Sequence, residues 1–264
     1  STHIPDSEIS RINQSAGGKP VSVSPEVREV VRAGIQWAEL TQGAFDITIQ
    51  PVVRLWDFDG GKEEIPRPEA VQQAAGRVNY RDIELTNDSI RLARRGMALN
   101  VGGLAKGYAV DRAVAILKRH VPNGIINAGG DLYAFGRKSP QKPWSIGLQH
   151  PRKTQDLLAS FELTDRAVAT SGDYQRYFIK DGVRYHHIFD PQTGMPARGI
   201  TSVTVLASKV MDADALSTAV FVMGPDKGLE WIDDRANAEA MVVLEDGSIR
   251  YSEGFRDQPK FALK

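Results

Sequence analysis

Beyond residue 120 the chain breaks into short runs of alternating side chains, and this change of period limits the fold more than any other feature. "GIINAGG", "DLYAFG", "WSIGLQH", "LLASFEL", "AVAT", "YQRYFIKDGVRYHHI" and "TSVTVLA" are interrupted by Gly, Pro and Asp, the pattern of strands joined by turns. Asp181-Gly182 lies between alternating segments and predicts a tight hairpin, and Asp246-Gly247 in "AMVVLEDGSIRYSEGF" predicts another. Ahead of residue 120 the period is helical. Ser24 is placed to cap, Pro25 sits at the first helical position and Gly43 follows the end; Val27, Val30, Val31, Ile35 and Ala38 share a face, predicting a helix over 25–41. A shorter helix is expected over 67–78, and a clear one over 105–120 with Ala109, Ala113, Val114 and Leu117 on its inner stripe. Two more are expected near 212–223 and 225–235. The fold class is therefore α+β, helices packed on largely antiparallel sheets. No repeat, low-complexity tract or linker divides the chain, so residues 1–264 read as a single mixed domain.

The balance of 33 basic and 33 acidic residues gives no electrostatic footprint for nucleic acid, and no nucleic-acid partner is expected. Cysteine is absent, which excludes disulfides, thiol nucleophiles and Cys-ligated zinc. No apolar run approaches the roughly 20 residues of a membrane helix.

Five stretches could carry chemistry, each beside a plainer reading. In "LNVGGLAKGYAVDRAVAILKRH" (99–120) glycines and Lys106 lead into a helix, a layout that attracts anions, although neither G-x-x-x-x-G-K-[ST] nor G-x-G-x-x-G fits; the plain reading is a tight turn. "GAFDITIQPVVRLW" (43–56) offers Phe45 and Asp46 to the edge of an aromatic heterocycle, or is a helix-capping glycine followed by a strand with one buried aromatic. The paired glycines of "NAGGD" (127–131) suggest a bulge or a close backbone approach. In "TSGDYQRYF" with "RYHHIFDPQTGMP" (170–196) His186 and His187 are strand neighbours, so only one can face a given site, and the plain reading of a lone strand histidine is structural. In "DADALSTAV" (212–220) Asp214, Ser217 and Thr218 share a helix face near its start. They are either caps or a hard-cation site suited to Mg²⁺.

Taken in order, "SEISRIN", "GAFDITIQPVVRLW", "LNVGGLAKGYAVD", "INAGGD", "WSIGLQHP", "ATSGDYQRYF", "YHHIFDPQTGMP" and "SVTVLA…DADALSTAVFVMG" resemble the ApbE family of FAD:protein FMN transferases. The resemblance runs from about Ser7 to about Gly224. It implies a single α+β domain that takes FAD and Mg²⁺ and moves FMN onto a threonine hydroxyl of a partner protein, releasing AMP. Asn13, Ala44, Phe45, Asp46, Phe189 and the loop around Gly102, Lys106 and Tyr108 would line the FAD site, that loop holding the diphosphate; no essential role falls to the Lys106 side chain. The Ala105 carbonyl, Asp214, Ser217 and Thr218 would hold the metal. His187 would be the base, and Asp214 could share that work; an imidazole ordinarily titrates near about pH 6.5. Acceptors of the family present a D/S-G-A/S-T-x-S/T motif, as in subunits of sodium-pumping quinone reductases and related redox complexes. Family members begin with a strand and helix upstream of "SEISRIN", after a signal or lipoprotein sequence. The expectation is thus a shortened or trimmed N-terminus and a periplasmic setting with a lipoprotein anchor. With water as acceptor the same site would be an FAD pyrophosphatase giving FMN and AMP, and a broken site would leave an FAD-binding protein without turnover.

Overall fold

In the computed structural model, which describes residues 2–58, 60–61, 63–234 and 237–264, the chain forms two units that alternate along the sequence. The first comprises Ser1–Leu104 and Gln175–Ala197, the second Ala105–Tyr174 and Arg198–Lys264.

The first unit opens with α1 (Glu8–Gln14), capped by Ser7, whose hydroxyl accepts from the Ser10 N–H. After β1 (Val21–Ser22) comes α2 (Pro25–Leu40), which starts on Ser24 and Pro25 as expected and buries Val30, Val31, Ala33, Gly34 and Ala38. Gly43, at φ +86°, closes its end by donating to the Ala38 carbonyl at 2.8 Å. The strand expected after Phe45 is absent. Asp46 instead accepts from both the N–H and the hydroxyl of Thr48, each at 2.7 Å, a local turn that competes with an extended backbone. Pro51 then lies in the first turn of a short helix, α3 (Gln50–Val53). The expected 67–78 helix is α4 (Pro68–Ala75), and β2 (Ile83–Leu85) with β3 (Ser89–Leu92) completes an antiparallel sheet in the order β1-β3-β2.

The chain passes into the second unit within α5 (Gly102–Leu117). A kink at Gly103 (φ −82°, ψ 16°) breaks its first turn, so the regular helix begins beyond it, close to the expected 105, while ahead of the kink Asn100 Oδ1 takes the Gly102 N–H at 2.9 Å. The second unit then builds β4 (Gly124–Ala128), β5 (Asp131–Phe135), β6 (Trp144–Gln149), β7 (Leu157–Leu163) and β8 (Arg166–Gly172). The NAGGD glycines form no bulge. Gly129 (φ +65°) and Gly130 (φ +104°) make the two-residue turn of the β4–β5 hairpin, with open space where their side chains would be.

The first unit resumes with β9 (Tyr177–Lys180) and β10 (Val183–His186), an antiparallel pair turning at Asp181 (φ 51°) and Gly182 (φ 75°), the expected hairpin. The last stretch belongs to the second unit: β11 (Ile200–Ala207), α6 (Val210–Met223), α7 (Pro225–Asp233), β12 (Glu239–Leu244), β13 (Ile249–Tyr251) and β14 (Ala262–Leu263). The final residue of the helix expected over 225–235 lies outside the described residues. Six strands order as β13-β12-β11-β8-β5-β4, and three as β14-β7-β6; every pairing is antiparallel. Each residue of β11 is buried, as a central strand covered on both faces requires. A core of Leu132, Ile146, Phe161, Val168, Leu206 and Phe255 lies on one side, and α6, apolar nearly all round, packs on β8 and β11. Helices on antiparallel sheets match the class read from the sequence.

Candidate functional site

In the second unit, α5 and α6 meet at a residue that only glycine can fill. A Cβ on Gly107 would stand 2.5 Å from Met211 Cα. The close approach lets the Asp111 carboxylate accept from the Val210 N–H at 2.8 Å and the Met211 N–H at 3.0 Å. Asp111 therefore caps α6 from a distant part of the chain, and burial raises its carboxyl despite those two bonds. Asp214, whose plainer sequence reading was a cap, does not have that role.

Asp214 lies one turn inside α6 and is 4% exposed. Its Oδ2 is buried with no hydrogen-bond partner, while Oδ1 is 3.7 Å from Lys106 Nζ on α5. The same ammonium is bound to Oδ2 of Asp131, the first residue of β5 and almost fully buried. Burial pushes the Asp214 carboxyl up to about 7, the Asp131 charge adds to this, and Lys106 and a bond from the Gly107 N–H oppose it. Burial also raises Asp131 against the pull of Lys106. For Lys106, burial works against the ammonium, but the two carboxylates outweigh it and hold the group above its ordinary value.

Ser217 and Thr218 follow on the same face of α6. The Ser217 hydroxyl donates to the Asp214 carbonyl at 2.9 Å, and Ser171 of β8 lies 2.8 Å from Ser217 Oγ and 3.2 Å from Thr218 Oγ1. The neighbouring Asp173 is turned to another task, a bidentate pair with Arg152 at 2.6 Å for each bond.

A carboxylate oxygen without a partner, two hydroxyls and the Ala105 carbonyl on the first turns of α5 are all hard oxygen donors, the set that Mg²⁺ prefers. Among the described residues no three His, Cys, Asp or Glu side chains gather at one point. A cation here would complete its shell with hydroxyls, carbonyl and water, as Mg²⁺ commonly does. The residues present fit the ion.

The sequence-predicted residues of the first unit are held as follows. Asn13 clamps the backbone of Leu99, accepting from its N–H at 2.6 Å and donating to its carbonyl at 3.0 Å. Phe45 is buried and its N–H donates to Thr41 Oγ1 at 3.1 Å. Besides Thr48, Asp46 accepts from the Tyr80 N–H at 3.0 Å; burial raises its carboxyl against these bonds. Gly43 and Asp46 line a cavity of about 720 Å³ with Val71, Tyr80, Thr193 and Met195. Phe189 packs in an aromatic cluster around Trp56, centroids 5.6 Å apart.

His186 is buried, its Nε2 2.9 Å from the Ala197 carbonyl and its Nδ1 accepting from the Ile188 N–H at 3.3 Å. His187 is half-buried, and its backbone N–H donates to the Arg176 carbonyl at 3.2 Å. In the second unit Ala105 is exposed and Tyr108 half-buried on α5.

Three residues had no role in the sequence reading. Asp111, Asp131 and Ser171 all stood inside quoted motifs; a lone acid or hydroxyl carries no signal until the fold gives it a partner.

Helices on antiparallel sheets are the architecture that this chain shares with solved ApbE structures. The structure is similar to the ApbE protein of Thermotoga maritima, at a TM-score of 0.91 with 39% identity, covering 98% of this chain and 86% of that one. It is also similar to apo flavinyl transferase ApbE of Pseudomonas stutzeri, at 0.87 with 34% identity, covering 98% and 82%. In sequence it is 34% identical to the FAD:protein FMN transferase of Haemophilus influenzae, over all of this chain (100%) and 78% of the relative. The chain belongs to the ApbE family, whose model matches residues 1–242.

Proposed function

We propose that this chain transfers the FMN part of FAD to a threonine hydroxyl of an acceptor protein, with Mg²⁺ at the Asp214 cluster. The threonine oxygen forms a bond to the flavin-side phosphorus, the bond from that phosphorus to the AMP oxygen breaks, and AMP leaves. The observation that carries this reading is the buried, unpartnered Asp214 Oδ2 on the helix whose Ser217 and Thr218 hydroxyls lie at the Asp214 carbonyl, in a chain of this family.

A bound Mg²⁺ would neutralise charge on the phosphates. Asp214, Ser217, Thr218 and the Ala105 carbonyl would hold it. His187 takes the proton of the acceptor hydroxyl, since both ring nitrogens of His186 are tied to backbone. Asn13, Ala44, Phe45, Asp46, Gly102, Lys106, Tyr108 and Phe189 are the residues proposed to contact FAD. The acceptor is proposed to carry its threonine in a D/S-G-A/S-T-x-S/T segment, as in subunits of sodium-pumping quinone reductases, and the reaction is proposed to run in the periplasm on a lipoprotein-anchored enzyme. Small residues beside the threonine suit approach to a crowded phosphorus.

The test is incubation with FAD, Mg²⁺ and a protein bearing such a segment, followed by a denaturing gel read for flavin fluorescence. The band of the acceptor should fluoresce and its Thr→Ala version should not. Release of FMN and AMP with no labelled band would identify a hydrolase instead.

A further inference from the structure

Among the described residues Lys106 is the one cation set against both Asp131 and Asp214. The two carboxylates are buried on a strand start and a helix, so neither can move far. The Lys106 side chain is 51% exposed and has a long, flexible stem, so the ammonium can leave. It engages Asp214 only through Oδ1 and leaves Oδ2 bare.

We propose that the Lys106 ammonium is a built-in counter-ion of the Asp131–Asp214 pair, which a divalent cation at Asp214 must displace. Two consequences follow from charge alone. With the ammonium in place the negative charge of the pair is already offset in part, and a divalent ion meets repulsion from a neighbouring cation. Another anion that receives it favours the displacement, and a diphosphate reaching the start of α5 is an anion of the right kind. Cation and diphosphate-bearing ligand thus load together, and the unloaded chain holds its carboxylates ready without a metal. The diphosphate half of this inference rests on the FAD reading above; the competition between ammonium and cation does not.

The test measures Mn²⁺ binding to the full chain by loss of the free-ion electron paramagnetic resonance signal, with no FAD or acceptor present. ADP serves as the diphosphate probe, and the signal lost to the Mn²⁺–ADP complex in protein-free samples is subtracted. The wild type should bind Mn²⁺ weakly alone and about 5–150-fold more tightly with ADP, the usual range of coupling between two ligands. Lys106→Met should bind Mn²⁺ alone at least about tenfold more tightly than the wild type, within that same range, and should lose most of the ADP effect. Lys106→Arg, which keeps the charge, should behave as the wild type. Thermal melting guards against a folding artefact: without metal Lys106→Met should melt lower than the wild type, and Mn²⁺ should restore it. Equal or weaker Mn²⁺ binding by Lys106→Met, or no Mn²⁺ binding by any version, overturns the proposal. Failure of flavin transfer with the Mn²⁺ pattern intact would remove the FAD reading and leave the counter-ion.

Discussion

Asp214 shows how one residue can be costly to the fold and useful to the site. A buried carboxylate with an unsatisfied oxygen is unfavourable by itself. Asp214→Ala should therefore abolish Mg²⁺-dependent turnover while the melting temperature measured in chelator stays level or rises; a large fall in stability would make Asp214 a structural residue. The histidine pair divides the other way. His187→Ala should slow transfer by about 10²–10⁴-fold with little change in FAD affinity, whereas His186→Ala should lower stability by about 1–3 kcal/mol, because a backbone donor and acceptor lose their partners. Steady-state rates and urea unfolding of both variants decide this, and the reversed outcome would put the strand phase off by one residue. Asp46 supplies a pH test. Its folded pKa is raised by burial, so its contribution to stability is complete below the unfolded value of 3.8 and is lost as pH rises through the folded value. The stability gap between the wild type and Asp46→Asn should accordingly narrow from pH 4 towards pH 7, as read from urea midpoints. The residue types at these positions were legible in the sequence. Their partners were not, since "DADALST" by itself does not say whether an acid caps its own helix or waits for a cation.

Among the elements, α6 depends on α5. Nothing in the sequence before Val210 caps this helix, and its first N–H groups are satisfied by Asp111, some hundred positions earlier. Asp111→Ala should destabilise the protein by about 0.5–2 kcal/mol, the usual cost of losing a cap. Urea denaturation measures it, and an unchanged midpoint would deny the cap. The hairpin at Asp181-Gly182 was readable because Asp-Gly has the backbone freedom that a two-residue turn demands, whereas Gly129-Gly130, read as a bulge or a close approach, makes the same kind of turn. The segment after Phe45 was misread as a strand because its β-branched residues suggest one. A short side-chain-to-backbone turn at Asp46 and Pro51 in the next helix overrode that preference.

For the whole molecule, the change of period at residue 120 announced helices on antiparallel sheets, and the strand runs and hairpin signals fell where the structure has them. That the chain leaves its first unit at Leu104 and returns to it for Gln175–Ala197 had no local signal, because no linker composition marks either crossing. The family followed from the order of eight motifs over most of the chain, none specific alone, and the family model's match over residues 1–242 agrees. The central claim is that this chain makes a covalent bond between flavin and a threonine oxygen. The most direct measurement is the intact mass of an acceptor protein after incubation with the chain, FAD and Mg²⁺. The account predicts a gain equal to FMN less one water on the acceptor, absent from its Thr→Ala version and absent with Asp214→Ala enzyme. An unmodified acceptor, or equal labelling of the Thr→Ala version, would contradict it.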